Sequence, residues 1–218
     1  MKGPALQIDD LVVARDGKVV LRIELLGLPA GELSAVAGPN GSGKSTLLLA
    51  VAGLVDLRQG EVRLDGARFH AGRAPAPLSA RRRVCLALQQ PYMLGGSALA
   101  NAAYGLRCRG VGRAEREAAA QAALDALGAG PLAQRRATDL SVGEQKLVSL
   151  AQAAVLDTDL LLLDEPLAGL DEQARARVAA LVSRKLERGC TVLVATHGAA
   201  EWESRASVTA RLLAGEIV

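Results

Sequence analysis

The stretch Gly38-Pro39-Asn40-Gly41-Ser42-Gly43-Lys44-Ser45 is a complete phosphate-binding loop that ends at a lysine and a hydroxyl. Its flanks turn the pattern into a site. Leu33-Ser34-Ala35-Val36-Ala37 before it is short and apolar, as a buried strand is, and Thr46-Leu47-Leu48-Leu49-Ala50-Val51-Ala52 after it has the residues of a helix start. Glycines let the backbone curl so that several N–H groups face phosphate oxygens. Lys44 then neutralises the β/γ charge, Ser45 offers its hydroxyl to Mg²⁺, and the helix beginning near Lys44 adds the positive end of its dipole. Residues 38–46 are therefore expected to bind a nucleoside triphosphate.

Outward from this loop the chain alternates strand and helix signals. Val12 to Leu28 reads as two strands joined at Asp16-Gly17, a hairpin signal. Glu61-Val62-Arg63-Leu64 alternates polar and apolar and turns back at Asp65-Gly66, which predicts a small antiparallel layer. Residues 71–80, with Gly72, Pro75 and Pro77, read as a loop, and 84–88 as a core strand. From Pro91 to Thr138 the texture becomes alanine-rich. Helical spacing over 113–127 puts Ala119, Ala122, Ala123 and Leu127 on one face. A second helix is expected over 142–156, a strand buried on both faces at Leu160–Leu163, a helix over 172–188 and another buried strand over 191–195. Thr209 to Leu213, the turn Ala214-Gly215 and then Ile217-Val218 suggest a closing hairpin. The expected fold is α/β: a P-loop NTPase core with a mostly parallel sheet, a small antiparallel β layer and an inserted helical lobe. One domain spans 1–218, its core formed by 1–90 and 157–218 and its lobe by 91–156.

Bulk properties narrow the function classes. At 218 residues and 50% apolar content the chain can bury a substantial core. No apolar run approaches the length of a membrane span. Asp9 and Asp10 precede any hydrophobic stretch, unlike a signal peptide. Cys85, Cys108 and Cys190 are scattered, with neither zinc nor disulfide spacing, which fits a reduced cytoplasmic compartment. The net charge of +3 comes with few aromatics, and Arg81-Arg82-Arg83 stands before a strand as a solvated start. No nucleic-acid partner is expected from this pattern.

Leu160-Leu161-Leu162-Leu163 delivers Asp164 and Glu165 to its C-terminal edge, where an open α/β sheet binds its ligands. Asp164 is suited to hold Mg²⁺ through water, and Glu165 to polarise an attacking water. An acidic pair argues for hydrolysis rather than transfer to a metabolite, for which no acceptor motif is evident.

The order of motifs resembles the ATP-binding subunits of ABC transporters over essentially the full length. Leu140-Ser141-Val142-Gly143-Glu144-Gln145 resembles the signature Leu-Ser-Gly-Gly-Gln or its Glu variant. Gln89 matches the Q-loop glutamine, Pro166-Leu167-Ala168-Gly169-Leu170-Asp171 the D-loop, and Thr196-His197 the switch histidine. The resemblance implies two nucleotide domains packed head to tail around two ATP molecules. Ser141, Gly143 and Glu144 then form the edge offered to the γ-phosphate held by the partner's loop. It also implies that His197 bonds the γ-phosphate and positions the water held by Glu165, that Gln89 touches Mg²⁺ and that water, and that Asp171 sits at the dimer seam.

Two departures stand out. Val142 replaces the first signature glycine, and its β-branch is expected to weaken closure. Arg15, six residues before Leu21, stands where the family offers an aromatic ring to adenine; a guanidinium either stacks on the base or faces solvent there. The resemblance further implies an integral membrane permease received near 89–96, with Tyr92, Met93 and Leu94 as apolar anchors, and peripheral attachment to the inner face of the membrane. The lobe around 101–110 resembles importers, of the tungstate or molybdate type, which adds a solute-binding protein as partner. With the sequence ending at Val218, no C-terminal regulatory domain is expected. Exporter ATPases and soluble ABC ATPases of DNA repair or translation are the alternatives.

Overall fold

The computed structural model of the protein describes residues 5–73, 76–198 and 200–218, so Pro75 of the expected loop lies outside them. Its strands are β1 (Leu6–Arg15), β2 (Lys18–Leu28), β3 (Leu33–Ala37), β4 (Gln59–Leu64), β5 (Ala67–Ala71), β6 (Val84–Ala87), β7 (Leu160–Asp164), β8 (Thr191–Thr196), β9 (Val208–Leu213) and β10 (Glu216–Ile217). Its helices are α1 (Lys44–Val51), α2 (Leu78–Arg81), α3 (Ala98–Ala102), α4 (Tyr104–Cys108), α5 (Arg113–Ala126), α6 (Val142–Ala154), α7 (Glu172–Glu187) and α8 (Ala200–Glu203). The chain divides into two compact units. One comprises the chain up to Leu86 with Thr158–Glu165 and Leu186–Val218; the other comprises Ala87–Asp157 and Pro166–Lys185.

In the first unit one mixed sheet runs in the order β5-β4-β1-β2-β10-β9-β3-β8-β7-β6. Tight turns at Asp16-Gly17, Asp65-Gly66 and Ala214-Gly215, all at positive φ, close its three hairpins. The hairpin at the C-terminal end links the two halves of the sheet: β9 lies parallel to β3 while β10 lies parallel to β2. In the other half β3, β8 and β7 are parallel, with Ala37 opposite Thr196 and Asp164 opposite Ala195. Three strand ends therefore open side by side along one edge. Every residue of β3, β7 and β8 is buried, which is why these segments read as continuous apolar runs without alternation. Leu6, Ile8, Leu21 and Ile23 of the antiparallel part share one core with Leu47, Leu48 and Val51 of α1. Each fully buried side chain of that size contributes about 1.5–3 kcal/mol.

The expected loop over 71–80 is shorter than the sequence suggested. β5 extends to Ala71, and Leu78–Arg81 form a helical turn in which Arg81 N–H bonds the Pro77 carbonyl. Proline at the cap has φ already set for a helix start. The arginine run is also not uniformly solvated: Arg83 is fastened to the carboxylates of Asp65 and Asp159.

The second unit is helical. Ser97 caps α3 by accepting from the Ala100 N–H, and Asn101 ties the same turn to both backbone groups of Leu94. In α5 the buried positions are Ala120 and Leu124, continued by Leu127, whereas Ala122 is exposed. The face is thus turned from the expected one of Ala119, Ala122, Ala123 and Leu127. Alanines occupy much of the circumference here, so the leucines set the orientation through their larger apolar area.

Candidate active site

The loop at 38–45 begins at the end of β3, where Gly38 N–H bonds the Thr196 carbonyl of β8 at 3.1 Å. A Cβ on Gly38 would lie 2.2 Å from the Leu212 carbonyl and 2.7 Å from Ser42 Oγ, so only glycine fits that passage. Gly43 then caps α1 at φ 105, in the left-handed region that glycine tolerates. No side chain caps α1. By helix geometry the amides of its first turn lack intrahelical partners and remain available to an anion. Pro39, Asn40, Gly41 and Ser45 are exposed and Gly43 and Thr46 half-buried, while Ser42 and Lys44 are buried.

Lys44 Nζ donates to the Gly38 carbonyl at 2.7 Å and to the Pro39 carbonyl at 3.1 Å, holding the loop closed around its own ammonium. The same nitrogen lies 3.6 Å from Glu165 Oε1. Glu165 follows the last residue of β7, anchored by its N–H on the Ala195 carbonyl at 2.9 Å, and its φ of 47 is unusual for a residue with a side chain. Such a backbone costs about 1–3 kcal/mol, and it is held here by β7 and β8. On the other carboxylate oxygen, Oε2, stands His197 Nδ1 at 2.8 Å, from the end of β8. An ionised carboxylate only accepts, so Nδ1 carries the proton and Nε2 faces away from Glu165. Asp164, 4% exposed, ends β7 beside this pair. Three adjacent strand ends therefore bring together Lys44, Asp164, Glu165 and His197.

Arg15 is exposed at the end of β1, paired in the hairpin with Lys18. In the second unit Gln89 is exposed just after β6. Ser141 caps α6 in a reciprocal box: its Oγ accepts from Glu144 N–H at 3.3 Å, and Glu144 Oε2 accepts from Ser141 N–H at 2.7 Å. Glu144 Oε1 meets Arg135 at 3.1 Å, so both its oxygens are engaged within the chain. The Ser141 N–H foremost, then its hydroxyl and Arg135, hold the Glu144 carboxyl below the usual carboxylate range. Val142 is 69% exposed, and Gly143 stands behind it with the Gly169 carbonyl 3.7 Å from where a Cβ would be. Asp171 caps α7 through Oδ1 to the Ala174 N–H at 2.7 Å.

A model of the ABC transporter family matches residues 24–168. The chain belongs to the ABC transporter family. Among its relatives, the Fe(3+) ions import ATP-binding protein FbpC of Streptomyces coelicolor is 41% identical over 90% of this chain and 56% of its own length. The molybdenum import ATP-binding protein ModC of Mycobacterium tuberculosis is 40% identical over 77% of this chain and 47% of its own. The chain thus spans about half the length of these relatives. A solved structure of an ATP binding subunit of an ABC transporter shares the fold, with a TM-score of 0.86 over 98% of this chain and 88% of that one at 24% identity.

Within this ABC chain two cations were not singled out by sequence reasoning. Lys146 of α6 is buried and donates to the Ala168 carbonyl at 2.7 Å; Arg175 of α7 donates through Nε to the Leu170 carbonyl at 3.0 Å. A signal for the first was present: Lys146 shares the i, i+4, i+7 stripe of Leu150 and Ala153, where a charge has to find a partner. Among the described residues no helix is long and apolar enough to cross a membrane.

Proposed function

We propose that this chain binds and hydrolyses ATP and drives solute import through a separate integral membrane permease. The observation carrying the reading is the Lys44–Glu165–His197 constellation: a phosphate-loop cation and a general base share one cluster, and the base is oriented by a histidine. Lys44 neutralises charge on the phosphates, and the amides of the loop and of the first turn of α1 grip them. Glu165 accepts a proton from the attacking water. His197 holds Glu165 in place, and its other ring nitrogen is the one left to face a phosphate oxygen.

Mg²⁺ fits the donors at hand. The Ser45 hydroxyl is exposed and Asp164 supplies a buried carboxylate, both hard oxygen ligands, and Gln89 joins them on the family resemblance. When bound there, the ion would supply neutralisation of phosphate charge. Among the described residues no group of three or more His, Cys, Asp or Glu side chains could hold a metal.

The serine–glycine edge of α6 and Asp171 serve a second copy, packed head to tail, whose bound triphosphate they complete. Arg15 takes the adenine side. The proposed domain organisation is one ABC nucleotide-binding domain over 1–218, with its ATPase core in 1–90 and 157–218 and its helical lobe in 91–156, although by contacts Pro166–Lys185 group with the helical unit. The permease holds the protein on the cytoplasmic face of the membrane, with Tyr92, Met93 and Leu94 as its contacts, and a solute-binding protein delivers cargo. The import direction is supported by the names of the two relatives; the tungstate or molybdate reading of the cargo has the molybdenum of the second name on its side, while the first names Fe(3+). The deciding experiment pairs ATPase assays of wild type and Glu165→Gln with detergent extraction of the tagged chain. Mg²⁺-dependent turnover lost in the variant, with an integral membrane protein co-purifying, is the expected result. Turnover that survives Glu165→Gln, or recovery with ribosomes or DNA instead, overturns it.

A further inference from the structure

The loop 166–171 and the first turns of α6 belong to one compact unit, whereas Glu165, the residue just before that loop, belongs to the other. Within that unit the loop is held by cations acting on its carbonyls. Lys146 Nζ lies 2.7 Å from the Ala168 oxygen, and Arg175 Nε lies 3.0 Å from the Leu170 oxygen. Arg175 sits on the helix that directly continues the loop, so its bond is local. Lys146 reaches across from α6, one turn beyond Ser141 and Gly143, and it is the longer link in sequence. The Gly169 carbonyl approaches Gly143 as well, at 3.7 Å from its would-be Cβ. Lys146 is 5% exposed. An ammonium is removed from water at that depth only where oxygen acceptors replace the water, and placing one there fixes those acceptors in turn.

We propose that Lys146 is a positioning residue that bolts the loop 166–171 to the serine–glycine edge of α6, so that Ser141, Gly143 and Asp171 meet a second copy as one preset surface. This rests on the head-to-tail reading above, since the surface matters only if a partner's triphosphate is completed there. The bond seen for Lys146 is to the loop backbone. Its effect is on geometry: an edge that shifts by an ångström no longer matches the charge developing on the partner's phosphate.

The test compares the full chain with Lys146→Met, which keeps the length and apolar stem, and Lys146→Arg, which keeps the donor. In Lys146→Met kcat for ATP is expected to fall about 10–100-fold, while KM for ATP stays within about twofold because the phosphate loop is untouched. Lys146→Arg is expected to recover most of kcat. Hydrogen exchange on the nucleotide-free proteins is expected to show amides of 167–170 opening about tenfold faster in Lys146→Met. Lys146→Gln carries the same expectations should Lys146→Met not fold. Unchanged exchange in that loop, an unchanged kcat, or a KM that rises in step with the loss of kcat overturns the proposal. Wild type without any ATP turnover strikes the ATPase reading instead, and the exchange comparison still decides whether Lys146 clamps the loop.

Discussion

Lys44 and Glu165, separated by most of the chain, meet 3.6 Å apart with side chains only 6% and 5% exposed. Neither charge is buried alone. Lys44 also holds two carbonyls of its own loop, and Glu165 also receives His197. Removing one member of such a pair strands the other in a poorly solvated place, at a cost of about 3–5 kcal/mol in comparable buried pairs. Lys44→Ala is therefore expected to lower both stability and ATP affinity. The double variant Lys44→Ala/Glu165→Gln should lose clearly less stability than the two single losses summed. Urea unfolding of the four proteins checks this; strict additivity would show that the two residues do not interact.

Glu165→Gln keeps shape and removes the proposed base. ATP affinity is expected to stay near wild type while kcat falls about 10³-fold or more, roughly 4 kcal/mol in barrier. Single-turnover measurements separate the two effects.

Gly38→Ala is expected to be among the most damaging small changes in the first unit. Its methyl would press on the Leu212 carbonyl, which is backbone in β9 and has no rotamer to escape into. Circular dichroism melts and nucleotide binding should both fail together, whereas Gly41→Ala, with no atom within 4 Å of the added Cβ, should mainly strain its own φ of 78.

The cap of α6 has a pH signature. The Glu144 carboxyl is held below its usual range, chiefly by the Ser141 N–H. Its contribution is thus complete above the ordinary glutamate value of about 4.3 and is lost as pH falls through the lower folded value. Glu144→Ala should flatten the acid limb of the stability profile and leave the alkaline limb alone. Ser141→Ala should cost about 1 kcal/mol at neutral pH. Chemical denaturation from pH 3 to 8 reads both.

Val142 stands at the start of α6 with most of its side chain in solvent. Val142→Gly is expected to tighten ATP-dependent self-association in the Glu165→Gln background, at a stability cost of about 0.5–1 kcal/mol for glycine in a helix. Sedimentation with and without ATP measures it, and an unchanged dimer constant would remove Val142 from the seam.

Local chemistry determined much of this protein from the sequence alone. A glycine-rich loop between an apolar run and a helix start, Asp-Gly turns and uninterrupted leucines before Asp164-Glu165 were enough for the α/β core, because each depends on neighbours within about ten residues, and the order of the motifs along the chain added the family resemblance. Where the signal was weak, the boundaries moved: the face of α5 was blurred by alanines that differ little in hydropathy, and the turn at Leu78–Arg81 was hidden among prolines. Other features were settled only by tertiary structure. The joining of both sheet halves through the hairpin at Ala214-Gly215, Arg83 between two distant aspartates, Lys44 against Glu165 and Lys146 on the Ala168 carbonyl all pair residues far apart in the chain. The physical reason is that a buried charge needs a partner, yet its own sequence neighbours do not say which: the fold chooses the partner when it closes the water out.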